Sequence, residues 1–244
     1  MNNLTDFYTQ LFESHSVIKT IGRENRKKIE TENSEEVVKE ETLTNDAHIL
    51  YLLSFIDILS NDYKDVIVEI FKTMQDYQFK SVASVSENDC KDTKRDDILQ
   101  NNYDYYRKIN LYDHTLNCAC ITVEMLHKQN TPAQTIFISL VISLLHDFGK
   151  SSLVSKDNME TKKERHHQIS ANFAKKFFQS FRKNKKKSFV TNDFIDLIVD
   201  VLRSHHNEIK IKNPFLNVLI DADMSARAKE LEFLKTNIIK KVMK

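Results

Sequence analysis

A histidine and an aspartate stand side by side in this chain, His146-Asp147, with Phe148, Gly149 and Lys150 directly after them. Upstream, Ile136, Phe137, Leu140, Val141, Leu144 and Leu145 recur at helical spacing. That pattern makes one face of a helix apolar and delivers the imidazole and the carboxylate at its last turn. A carboxylate buried beside an imidazole is costly unless something charged compensates it, and a divalent cation would do so. Other histidines and aspartates stand elsewhere in the chain: His114, the pairs His166-His167 and His205-His206, and the carboxylates Asp221 and Asp223. Imidazole and carboxylate without thiolate suit Mn, Fe, Co, Ni or Zn, with Mg disfavoured by so many nitrogen donors.

Each of these groups needs an element to carry it. His114 shares a helical face with Cys118, Ile121 and Met125. A lone histidine on such a face is more often a core residue, and the His-Asp pair one helix later shifts the reading toward ligation. Ile169, Phe173, Phe177 and Phe181 form the core stripe of a helix opened by Arg165-His166-His167. Which of the two histidines faces the site is left open by one residue of helix phase. Phe194, Ile195, Ile198, Val199 and Leu202 define another helix, ending in His205-His206. Asp223 lies on the face of Leu216, Leu219 and Ile220, with Asp221 as the alternative. The chain has only two glycines, Gly22 and Gly149. Gly149, just past a helix, is expected to supply a left-handed backbone for a sharp turn.

His114, the pair His146-Asp147 and Asp223 match the H…HD…D pattern of the HD-domain metal-dependent phosphohydrolases, over roughly residues 105 to 230. His146 to Lys150 reads HDxGK, which resembles the branch holding HD-GYP cyclic-dinucleotide phosphodiesterases, ribonuclease Y and HD relaxase-like proteins. The resemblance implies an all-α HD-domain helical bundle. His114, His146, Asp147 and Asp223 would then hold one metal. Asp147 would bridge to a second, held by His166 and the His205-His206 pair. Mn or Fe are the favoured ions, two of them about 3.5 to 4 Å apart and sharing a hydroxide that attacks phosphorus. Asp147 and Lys150 would be the catalytic side chains, Lys150 neutralising a nonbridging phosphate oxygen. A family glycine four residues after the additional histidine is replaced here by Ser170. Asn110 stands where HD-GYP proteins with a third metal place a glutamate, so two ions are expected. The glycine-rich GYP stretch after the paired histidines is replaced by Asn207-Glu208-Ile209-Lys210, against cyclic di-GMP as substrate.

Composition bounds the rest. Thirty-six Lys and Arg against 35 Asp and Glu leave no global case for a nucleic-acid or acidic-membrane partner. A local case exists at Arg182-Lys183-Asn184-Lys185-Lys186-Lys187, read first as a solvated interhelix loop and second as a contact for a phosphate backbone. Cys90, Cys118 and Cys120 suggest neither a disulfide framework nor a thiolate zinc site, and fit a reducing cytoplasm. No run approaches the roughly 20 apolar residues that span a bilayer, and Met1 to Asp6 do not open a leader. Two prolines and two glycines leave little hairpin chemistry, which points to an all-α fold.

The expected organisation is an N-terminal helical region with a charged linker, residues 1–97, and an HD domain, residues 98–244. The first part includes an amphipathic helix over 4–21, a charged segment over 23–46, two helices from Ala47 to Phe79 broken at Ser60-Asn61-Asp62, His48 at the surface and a polar loop over 84–97. The leading function is hydrolysis of a phosphomonoester or phosphodiester of a nucleotide or nucleic acid. The alternatives are a nuclease or relaxase-like protein gripping single strands through Lys183, Lys185, Lys186 and Lys187, and a non-catalytic nucleotide-sensing HD module.

Overall fold

The computed structural model describes residues 51–52, 54–55, 61–85, 105–161, 164–185, 187–206 and 213–242, with side chains for all but 61 and 237–242. The fold is all-α, as expected: α1 Asn61–Asp76, α2 Leu111–Lys128, α3 Ala133–Leu145, α4 Ser152–Asn158, α5 His166–Lys185, α6 Asn192–Ser204 and α7 Pro214–Val242. Short 3-10 turns lie at Phe79–Ser81 and Phe148–Lys150, and an antiparallel bridge joins Ala83 to Asn110. Among the described residues no single helix is long and apolar enough to cross a membrane.

Helix α3 is the hub. It packs against α2, α7, α6 and α1, and every residue from Ile136 to Leu145 is buried. The apolar face expected from its spacing is therefore only part of what it buries, since Ser139 and Ser143 are inside as well. Ser143 is accommodated by a 2.7 Å hydrogen bond between its hydroxyl and that of Thr122 on α2. Phe137 stacks on Tyr63 of α1, ring centroids 4.1 Å apart, and so ties α1 to the core. Helix α2 is started by Asn110, whose side chain accepts from the Asp113 backbone N–H at 2.7 Å, and α6 by Thr191, accepting from that of Phe194 at 3.2 Å.

The turn after α3 is locked by its neighbours. Phe148 is fully buried, stacked on Phe173 of α5 at 4.7 Å and edge-on to Phe79 at 4.5 Å. Gly149 corrects the sequence expectation. No described glycine has a positive φ; the left-handed residues are Gln78 and Asn130. What requires glycine is close approach: a Cβ at position 149 would overlap the carbonyl oxygen of His166 and lie 2.8 Å from its carbonyl carbon. The Gly149 N–H also donates to the hydroxyl of buried Ser170 at 2.8 Å. Ser170 is thus a clasp between the turn and the N-terminal part of α5.

Contacts group residues Met1–Phe55 and Ile56–Lys244 as two compact units. Helix α1, which the sequence reading put in an N-terminal region ending at residue 97, belongs to the second unit. It begins at Asn61, in the expected break. The expectations for 4–21, 23–46, His48, Cys90 and most of the 84–97 loop lie outside the described residues. Helix α5 continues to Lys185, so most of the basic run ends a helix and does not form a loop. Lys187 pairs with Asp62 at 2.6 Å and Asp65 at 2.8 Å on α1, while Lys186 lies outside the described residues. The polar stretch after Lys150 contains the short helix α4.

Gly149→Ala should force the turn away from α5 and cost about 1–3 kcal/mol, by the usual penalty for overpacking. The expected outcome is a melting temperature several degrees lower. An unchanged melting curve would refute the close-packing account.

Candidate metal centre

The helices converge their ends on one region. His114 sits in the first turn of α2, its N–H donating to the Asn110 carbonyl at 3.2 Å. His146 caps the C-terminus of α3, with Asp147 next in the turn. His166 opens α5, His205 caps the end of α6 with His206 beside it, and Asp223 projects from α7. Two groups of donor atoms result: His114, His146 and Asp147, and then Asp147, His166, His205 and His206. Within each group the donor atoms lie within 4.8 Å of one another.

Asp147 belongs to both groups, and its two oxygens divide the work. Oδ2 lies 3.3 Å from Nε2 of His146 and 3.6 Å from Nε2 of His114. Oδ1 faces the other way, 3.7 Å from Nε2 of His166. Asp223 joins the first group, its Oδ1 3.1 Å from His114 Nε2 and 4.0 Å from His146 Nε2. In the second group, Nε2 of His166 and Nε2 of His206 are 2.8 Å apart.

The ring orientations are set from behind. Nδ1 of His146 donates to the Ser143 carbonyl at 2.7 Å, and Nδ1 of His205 to the Leu202 carbonyl at 2.8 Å. A carbonyl oxygen only accepts, so Nδ1 carries a proton and Nε2 of each ring is turned toward the site. His114 Nδ1 meets the Glu230 carboxylate at 3.0 and 3.2 Å, and Glu230 also accepts from Asn117 at 3.0 Å. Nε2 of His114, His146 and His205 and Oδ1 of Asp147 and Asp223 are buried and make no hydrogen bond among the described residues. Each such atom costs about 1–3 kcal/mol if left unsatisfied. Five of them aimed at one region are what a divalent cation would satisfy, and nitrogen with carboxylate oxygen is a donor set that transition metals take.

Electrostatics prepares the groups for that role. Burial pushes the Asp147 carboxyl up, but His146 and Lys150 outweigh it and hold the group well below the usual carboxylate range. Asp223 is likewise held well below that range against its burial, chiefly by the His114 ring 3.1 Å away, with His146 and Arg227 adding to it. Burial and the neighbouring His206 push His205 well down, and burial with His166 brings His206 down to about 4. At neutral pH the carboxylates are therefore ionised and these two imidazoles neutral, the states a metal needs. Lys150 is not an exposed helix-end lysine: its side chain is 6 % exposed and its Nζ lies 2.7 Å from Asp147 Oδ2.

All the residues expected at the site, His114, His146, Asp147, Lys150, His166, His205, His206 and Asp223, are brought together. His166 and not His167 belongs to the donor group, and Asp223 and not the exposed Asp221 faces His114. Asn110 serves as a helix cap. Sequence reasoning missed Asn117, Arg227 and Glu230. Their signal was helical spacing: Arg227 and Glu230 follow Asp223 by four and seven residues on α7, and Asn117 follows His114 by three on α2.

Mn or Fe added to metal-free protein should raise the melting temperature, and a chelator should reverse the rise, because an ion bound only by the folded state stabilises it. Glu230→Gln should remain folded while metal affinity falls about 10–100-fold, the usual effect of losing a partner behind a ligating histidine. Equal melting with and without metal would count against the site.

A model of the HD domain family matches residues 111–242, from the first residue of α2 to the last of α7. No curated protein and no solved structure matches the chain. The match takes in more than half of the 244 residues and every donor named above. The chain belongs to the HD domain family, whose members are generally metal-dependent phosphohydrolases.

Proposed function

We propose that the chain hydrolyses a phosphomonoester or phosphodiester of a nucleotide or nucleic acid, using two divalent transition-metal ions, Mn or Fe by preference. The observation that carries this reading is Asp147, buried and shared between two donor groups through opposite oxygens. Ions held there would lower the pKa of a water and polarise a phosphoryl oxygen. HDFGK at 146–150 and the paired His205-His206 support a place near the HDxGK branch with HD-GYP proteins and ribonuclease Y.

The chain's own groups have separable tasks. Asp147 and Asp223 supply negative charge to the ions. His114, His146, His166, His205 and His206 supply nitrogen donors, and Glu230, Ser143 and Leu202 orient His114, His146 and His205 respectively. Lys150, held at Asp147 Oδ2, places a cation at the site where charge grows on phosphoryl oxygens in the transition state. Aromatic packing on Phe148 and the Ser170 clasp fix the turn that carries Asp147, so the donors are pre-positioned. Binding of strands through the basic run is the less supported reading, since Lys187 already pairs with two aspartates on α1.

Metal analysis of the purified protein, beside assays on p-nitrophenyl phosphate and bis-p-nitrophenyl phosphate, tests the proposal. Two ions per chain and activity lost in Asp147→Asn are expected. Lys150→Met should keep its metal and lose about 10²–10³ in kcat, the range for removal of one transition-state contact. No hydrolysis after reconstitution with Mn or Fe would overturn the catalytic reading in favour of a nucleotide-sensing module.

A further inference from the structure

Arg227 is a cation beside this centre that the proposed chemistry has not used. It stands one helical turn after Asp223 on α7, its side chain 17 % exposed. Two of its N–H groups are spent on a single anchor: Nη1 donates to the Ser84 hydroxyl at 2.9 Å and Nη2 to the Ser84 carbonyl at 3.2 Å. Ser84 is itself fixed, its N–H donating to the Ile109 carbonyl at 2.8 Å and its hydroxyl to the Tyr106 carbonyl at 3.2 Å. The Tyr106 ring lies under the guanidinium, 5.6 Å from its central carbon. The guanidinium is therefore held through both terminal nitrogens by Ser84 and against its face by Tyr106.

Its other contacts are carboxylates that are near but not bonded. Nη2 is 3.6 Å from Asp147 Oδ2, Nε 3.7 Å from Asp223 Oδ1 and Nη1 3.9 Å from Glu230 Oε2. All three distances exceed hydrogen-bond length. A guanidinium has five N–H donors, so three remain without a hydrogen bond among the described residues. The two carboxylates nearest them are the ones the metal reading commits to cations. A partly buried guanidinium with unspent donors, pinned in orientation and bordering a phosphohydrolase centre, is suited to forked contacts with phosphate oxygens. Lys150 approaches the same Asp147 oxygen, which puts both cations at that edge of the centre.

We propose that Arg227, pre-oriented by Ser84 and Tyr106, is a substrate-contact residue that grips nonbridging oxygens of the phosphate undergoing hydrolysis. The proposal rests on the phosphohydrolase reading above. It also assigns a purpose to the short segment around the Ala83–Asn110 bridge, which brings Ser84 to the site from outside the family-matched residues. An alternative is that Arg227 merely ties that segment to α7.

Orthophosphate titrated calorimetrically into the full-length, Mn-loaded protein separates the two. Arg227→Gln should weaken orthophosphate binding about 10- to 100-fold, as loss of hydrogen bonds to a charged group implies. Its manganese content should be unchanged and KM for p-nitrophenyl phosphate raised. Arg227→Lys should recover part of the affinity, since charge survives without the fork. Ser84→Ala, which frees the guanidinium without removing it, should give a smaller loss. Wild-type affinity for orthophosphate in Arg227→Gln, or a lowered melting temperature as its sole change, would overturn the proposal and leave the phosphohydrolase reading intact. A wild-type protein that neither binds orthophosphate nor cleaves phosphoesters would remove both.

Discussion

Everything in this structure answers to one buried charge. Asp147 is 1 % exposed, and an ionised carboxylate at that depth is tolerated only when opposite charge and donors surround it. Lys150 supplies one cation from the same turn, Arg227 another from α7, and His114, His146 and His166 approach its two oxygens from three further elements. The bundle can be described as the means of bringing these groups to one aspartate. Without them the end of α3 could not carry an acid so far inside.

The layer behind the donors has the same logic at lower cost. Two histidines are oriented by main-chain carbonyls three residues earlier, Ser143 and Leu202, which a helix end leaves free of intrahelical partners. Those contacts come with the position and need no particular side chain. His114 sits at a helix start, where no such carbonyl is on hand, and it takes a carboxylate from 116 residues away. Position along a helix decides whether a site histidine needs a dedicated partner.

This explains what could be read in the sequence. His146-Asp147, the paired histidines and Asp223 were legible because each terminates or lines a strongly periodic apolar helix. His166 and His167 differ by one residue of phase, which only the packing of α5 against the turn resolves. Glu230 falls in a stretch of α7 rich in charge, where a carboxylate facing a buried histidine looks like any solvated one. Gly149 was singled out correctly and explained wrongly. A local reading looks to φ, whereas the constraint comes from a carbonyl seventeen residues later. The 61–76 helix was seen, but its membership of the larger unit depends on contacts such as Phe137 with Tyr63, invisible in a linear pattern.

The burial of α3 on all sides bears on kinetics as well as packing. Amides of a helix enclosed by four others exchange with solvent only when the whole unit opens, whereas chain ends and partly exposed turns open locally and often. His146 and Asp147 sit at the close of that protected helix, while His166 lies in the first turn of α5 and His206 just past the end of α6. The two donor groups thus belong to regions of unequal local stability. Local opening would therefore disturb the placement of His166 and His206 before it reached that of His114 and His146.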